Sequence, residues 1–174
     1  MIALRAWSRP DAQALREGSV GPAAGLRWHE EYPMAETFGA VQMLLGAHGF
    51  ALRPDDDPAG EPAWWIWQVV EDGLVVGDIG FHGPPPADGP VTVEIGYNVV
   101  PAVRGRGVAT RACVLLLEQA WRDGAQLVLA GTEPGNVASQ RVLRKIGMQQ
   151  EGLLRSHMLI RGHREGSLLF AAVD

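Results

Sequence analysis

The sequence predicts a mixed α/β fold built on one central sheet, and three observations carry that expectation. Aromatic and β-branched residues from Trp64 to Val70 and from Leu74 to Phe81 flank Glu71-Asp72-Gly73, a tight-turn sequence, so the two runs form an antiparallel hairpin. A strand-like run, a glycine-rich bend, a helical apolar stripe and a short apolar run follow one another between Val91 and Ala130, the signature of a strand-helix-strand crossover. Two further strand-like segments after Gly147 close the chain as a second hairpin. With 174 residues, 47% of them hydrophobic, the chain can bury one substantial core, which predicts one domain over residues 1–174.

From the N-terminus, Ser8-Arg9-Pro10-Asp11 reads as a helix start: Ser8 caps, Pro10 suits the first turn, and Asp11 favours the positive end of the dipole. This helix runs to about Glu17. Glycine, proline and alanine make residues 18–25 a loop that leads to Trp28-His29-Glu30-Glu31-Tyr32-Pro33. Phe38, Val41, Leu44 and Leu45 recur at helical spacing and predict a second helix over about 35–47. Residues 53–62, with Asp55, Asp56 and Asp57, read as a solvated loop, since no glycine and closing glutamate follow at calcium-loop spacing.

Trp64, Trp65 and Trp67 are expected to pack in the sheet, because neighbouring strand residues point to opposite faces. A third long strand spans about 91–100, and Pro101, lacking an amide proton, stops its ladder. Val108, Ala112, Leu115, Leu116 and Ala120 form the stripe of a helix that Gly124 ends, and residues 126–130 form a short strand. Asn136 caps a helix over 137–146 terminated by Gly147, and strands over 148–160 and 165–173 surround Arg161-Gly162-His163.

A net charge of -5 argues against a nucleic-acid partner. The single cysteine, Cys113, allows no intramolecular disulfide, which fits a reducing cytoplasm. The early charge at Arg5 and the lack of a long apolar run predict neither a signal sequence nor a membrane partner. The five histidines show no metal-site spacing, so no metal is expected.

The crossover carries the chemistry. Gly105 and Gly107 flank Arg106 directly after a strand and before a helix, so consecutive backbone amides can turn inward. The new helix adds unpaired N–H groups and its positive dipole end, which makes an anion cradle suited to a pyrophosphate, with Arg104 or Arg106 assisting. Two other phosphate motifs fail. No Gly-Lys is followed by Ser or Thr as a P-loop requires, and Thr110 occupies the third glycine position of a dinucleotide fingerprint.

Arg104-Gly105-Arg106-Gly107-Val108-Ala109 resembles the cofactor signature of the GNAT family of N-acetyltransferases: Arg or Gln, two variable residues, Gly, one variable residue, then Gly or Ala. Val99-Val100-Pro101 is similar to that family's approach to the loop. About 30 residues downstream, Asn136-Val137-Ala138-Ser139 with Leu143-Arg144-Lys145-Ile146-Gly147-Met148 resembles its second signature, most closely in the branch that acetylates ribosomal-protein N-termini. The resemblance covers about residues 64–173. It implies a central sheet of about six or seven strands, splayed in the middle and flanked by about four helices. It also implies an acetyl-CoA core over about 91–147, with acceptor-site elements over about 1–60 and 148–173.

On this resemblance the co-substrate is acetyl-CoA, the partner is an amine acceptor, and the chain acts as a monomer or homodimer. Asn98, Val99 and Val100 would line the pantetheine arm, an amide near Asn98 or Val99 would polarise the thioester carbonyl, and residues from Arg104 through Gly105, Arg106, Gly107, Val108 and Ala109 to Thr110 would hold the pyrophosphate. Glu94 is the candidate general base through a water, or else a strand carboxylate with a structural partner. The tyrosine that protonates the leaving thiolate elsewhere in the family is replaced by Leu143. Ser139 then either takes that role or supports the helix start, and Asn136 both caps the helix and meets the pantetheine amide. Trp28, His29, Glu31, Tyr32 and Tyr97 are candidates for the acceptor site or for packing. A non-catalytic acyl-CoA sensor is the competing reading, favoured by Leu143 and opposed by Glu94 with Ser139.

Overall fold

A computed structural model describes residues 1–19, 21, 26–45, 64–160 and 163–174. The first helix, α1 (Arg9–Arg16), starts as its sequence dictates: Ser8 Oγ accepts from the Asp11 N–H at 3.1 Å, and Pro10 stands in the first turn. α2 covers Ala35–Leu45, and α3 (Val108–Arg122) and α4 (Val137–Lys145) follow the glycine-rich bend and the Asn136 cap. The carboxamide of Asn136 accepts from the Ser139 N–H at 3.1 Å. The loop expected over 53–62 and the turn at Arg161-Gly162 lie outside the described residues; His163, expected in that turn, opens the last strand instead.

The sheet has eight strands among the described residues: β1 (Ile2–Ala6), β2 (Arg27–Trp28), β3 (Ile66–Glu71), β4 (Leu74–Phe81), β5 (Thr92–Val99), β6 (Leu127–Thr132), β7 (Gln149–Ile160) and β8 (His163–Val173). Their order is β1-β3-β4-β5-β6-β8-β7, with β2 added alongside β4. β1 and β2 exceed the expected strands. Met1-Ile2-Ala3-Leu4-Arg5 is too short and mixed to read as a strand alone, and it becomes one because β3 offers an antiparallel edge from Ile2↔Glu71 to Ala6↔Trp67. The two residues of β2 pair in parallel with Leu74 and Val75.

One pairing positions the site. β5 runs parallel to β6 only from Thr92↔Leu127 to Glu94↔Leu129, although both strands continue beyond those residues. On its other edge β5 stays bound to β4 from Phe81↔Ile95 to Gly77↔Val99. The sheet therefore splays between β5 and β6 after Glu94, as expected. That opening leaves one edge of residues 95–99 unpaired with β6.

Successive residues on β4 and β5 face opposite layers. Ile79 and Tyr97 are register partners on the face covered by α3 and α4; Asp78 and Asn98, one residue along, are partners on the face covered by α1 and α2. α3 buries Val108, Ala112, Leu116 and Ala120 of the stripe its sequence predicts, together with Cys113 and Leu117, while Leu115 of that stripe is half-buried. The tryptophans pack as expected: Trp64 and Trp67 each meet the Phe81 ring edge-on, and the Trp65 indole N–H donates to the Trp7 carbonyl.

Candidate active site

β5 ends at Val99, a 3-10 turn covers Pro101–Val103, and the chain enters α3 through Gly105 at φ +74° and Gly107 at φ +78°. A side chain at either place would strain the backbone, so these two glycines let the bend curl tightly enough to turn its amides inward. The Arg104 N–H is bound to the Pro101 carbonyl and the Arg111 N–H to the Gly107 carbonyl. Between them the amides from Gly105 to Thr110 bond to no backbone carbonyl among the described residues. Up to six donors are thus left along the left-handed bend and the positive end of a helix of 15 residues. The side chains of Val100, Val103 and Val108 are core anchors, so this stretch serves the cradle through its main chain.

The two arginines differ. Arg106 pairs with the Glu71 carboxylate at 3.1 Å, and Arg111 shares that carboxylate at 3.3 Å. Arg104 folds back so that its Nε donates to the Val99 carbonyl at 3.3 Å, with the side chain exposed beside the bend. Arg104 is therefore the cation of the predicted pair that carries no carboxylate partner among the described residues.

The mouth of the splay is lined from both sides. From β5, the Tyr97 hydroxyl meets Ser139 Oγ of α4 at 2.8 Å, and it also donates toward the Ser139 carbonyl at 3.3 Å. Burial pushes the Tyr97 hydroxyl well above its ordinary range while the bond to Ser139 pulls the other way, so the phenol stays protonated and able to donate at neutral pH. Tyr97 thus sits with Ser139 on the α4 side of the sheet, while Leu143 is fully buried in the core. A Cβ on Gly77 would overlap the Asn98 carbonyl oxygen, so that carbonyl leans toward β4. The N–H and C=O of one planar trans peptide point opposite ways, which turns the Val99 N–H toward the splay.

Glu94 is the last residue of β5 that pairs with β6, and its carboxylate is partly exposed on the α1–α2 face. The segment of Trp28, His29, Glu31 and Tyr32 reaches the turn after β5: the Glu31 carboxylate accepts from the Ala102 N–H at 3.0 Å, and His29 Nδ1 accepts from the Glu31 N–H at 3.1 Å. Trp28 packs edge-on against Tyr32 with ring centroids 5.4 Å apart. Tyr32 is buried and its hydroxyl donates to Asp78 at 2.7 Å, so that hydroxyl is already engaged.

Asp78 is a feature that reading the sequence misses. Arg5, Gln68, Asp78 and Asn98 stand side by side across β1, β3, β4 and β5. The Asp78 carboxylate accepts from the Trp7 indole at 3.0 Å, from Tyr32, and from the Thr37 hydroxyl at 2.5 Å, while its own N–H donates to the Asn98 carboxamide at 3.3 Å. Burial pushes the Asp78 carboxyl up, and the three donors oppose that shift. Only the Asp78–Asn98 spacing could have hinted at it, and a lone aspartate in a strand reads as a turn residue or an edge charge.

Residues 2–149 match the family model described as the acetyltransferase (GNAT) domain. The chain belongs to the GNAT family. A probable N-acetyltransferase of Bacillus subtilis, YjcK, is 33% identical over 84 residues, 48% of this chain and 46% of that relative, so the match spans less than half of the curated protein's length. Among solved structures, a ribosomal-protein-S5-alanine acetyltransferase from Vibrio fischeri superposes with a TM-score of 0.67 at 17% identity over 99% of this chain and 92% of the other. Mycobacterium smegmatis RimJ, solved with a CoA-disulfide, gives 0.66 at 22% identity over 99% and 81%. These likenesses establish a shared fold. Within this GNAT domain the stretch Arg104–Ala109 follows β5, the strand that parts from β6 after Glu94, and the Tyr97 hydroxyl of β5 meets Ser139 of α4 while Leu143 is buried.

Proposed function

We propose that the chain transfers an acetyl group from acetyl-CoA to a primary amine, a protein N-terminus or a small molecule, in a ternary complex. The observation that carries this reading is the run of six unspent amides from Gly105 to Thr110 placed where β5 leaves β6. A pyrophosphate fits that cradle by charge and by donor count, with Arg104 beside it. Residues 95–99 present the unpaired strand edge that an extended pantetheine amide chain can pair with. Asn136, whose carboxamide oxygen is committed to Ser139, keeps its Nδ2 for the same chain.

When bound, the donor supplies an activated thioester carbonyl. The Val99 N–H is the group aimed to stabilise the oxyanion that develops there, worth about 3 kcal/mol in comparable sites. The Tyr97–Ser139 pair holds a proton for the departing thiolate. Glu94, on the opposite face, belongs to the base that relieves the amine of its proton. A sensor that only bound the donor would have no use for a hydroxyl pair and a carboxylate on the two sides of the opening. The acceptor approaches over the α1–α2 face, past His29 and Glu31, and the buried Tyr32 shapes that face through packing. The acetyl-CoA core spans about 91–147 within one domain, and the reaction belongs in a reducing cytoplasm, where Cys113, buried with its thiol pushed up by desolvation, stays inert.

Calorimetric titration with CoA and thiol release over a panel of amines test this. Binding with turnover of at least one amine is the expected result. Failure to bind CoA at all refutes the cradle.

A further inference from the structure

The acetyl-transfer reading leaves His82, on the α1–α2 face of the splay, without a role. Its N–H donates to the Glu94 carbonyl at 2.9 Å, which continues the Phe81↔Ile95 register by one pair and sets His82 and Glu94 side by side on one face. His82 Nδ1 stands 3.4 Å from Glu94 Oε1. The imidazole lies across β5 directly above Gly96, where an added Cβ would stand 2.5 Å from Nε2. Side chains two residues apart on a strand share a face about 7 Å apart. Glu94, Gly96 and Asn98 therefore form one row, and the imidazole fills the step between the carboxylate and the peptide whose N–H faces the thioester. Gly131 of β6 also lies near the carboxylate: a Cβ there would stand 3.4 Å from Glu94 Oε1 and 3.0 Å from Ser167 Oγ of β8. Both partners are reachable, with His82 48% and Glu94 42% exposed.

We infer that the base of this site is an imidazole–carboxylate pair, in which His82 Nε2 takes the amine proton and Glu94 holds the ring as its Nδ1–H tautomer. A ring that keeps its proton on Nδ1 presents the Nε2 lone pair as an acceptor, and the carboxylate beside Nδ1 stabilises the imidazolium that forms. His82 Nε2 takes one proton from the ammonium, the neutral amine so formed attacks the carbonyl carbon, the C–N bond forms, and the C–S bond breaks. The second amine proton passes to solvent, the thiolate takes a proton from the Tyr97–Ser139 pair, and both protein groups exchange with solvent. Gly96 is part of the device, because it leaves the room the ring occupies.

The test is steady-state kinetics on H82A, H82Q, G96A and E94Q with two amines, one strongly basic and one neutral at the assay pH, with and without added imidazole. H82A is expected to lower kcat about a hundredfold with the basic amine, with far less loss for the neutral one, to leave the affinity for CoA unchanged, and to recover in part with imidazole. G96A should reproduce the loss by displacing the ring. Retention of kcat within about twofold in H82A beside a hundredfold loss in E94Q overturns the inference and leaves acetyl transfer standing. A loss equal for both amines and deaf to imidazole also overturns it, as packing. A wild-type protein that binds CoA and acetylates no amine instead overturns the activity beneath it.

Discussion

The two faces of the splayed sheet are built from different materials. On the α3–α4 side the site is mostly main chain: six amides, two left-handed glycines and two helix starts, each set by residues close in sequence, with the Tyr97–Ser139 pair as the side-chain addition. On the α1–α2 side it is side chains: Trp7, Tyr32 and Thr37 reach across the chain to Asp78, and His82, just past the end of β4, meets Glu94 of β5. A cradle made of backbone constrains a short stretch tightly. A network made of side chains needs several elements in register before any of its bonds exist.

That contrast predicts where each face breaks. The largest effect is expected from D78A, which strands three buried donors and should lower stability by about 4 kcal/mol in urea unfolding, with CoA binding intact wherever the protein is folded. The pH dependence sharpens this. Because burial raises the Asp78 carboxyl above its ordinary 3.8, its contribution to stability is complete below that value and is lost as pH rises through the raised value. Unfolding melts over a pH series should show that decline in the wild type and its absence in D78N, whose carboxamide can still accept from Trp7 and Tyr32.

Next comes G107V, which forces a β-branched residue into the left-handed region. Its expected cost is about 2 kcal/mol in CoA affinity, roughly thirtyfold in Kd by calorimetry, larger than its effect on the unfolding midpoint of the α1–α2 face. Y97F removes the phenol proton and should lower kcat about tenfold with Kd for CoA unchanged, while S139A gives a similar loss and the double variant little more. The smallest effect belongs to E71Q. It frees Arg106 and Arg111 from an ion pair at the surface, and a change in CoA affinity under about 1 kcal/mol that fades with added salt is the result to look for.

What could be read before any coordinates existed follows the same division. The bend from Arg104 to Thr110, the caps at Ser8 and Asn136, the helical stripe of α3 and the central hairpin are each set by local backbone chemistry, by where glycine is tolerated and where an orphan N–H finds an acceptor, so neighbouring residues suffice to reveal them. β1 and β2 escaped because a five-residue and a two-residue strand exist only through the edges that β3 and β4 offer them. Tertiary structure alone decided that Tyr97 and Ser139 meet, that Tyr32 turns inward to Asp78, and that His82 lies over Gly96. Those contacts join residues up to 46 positions apart, and a bond across that distance leaves no pattern until the sheet has brought its two ends within reach.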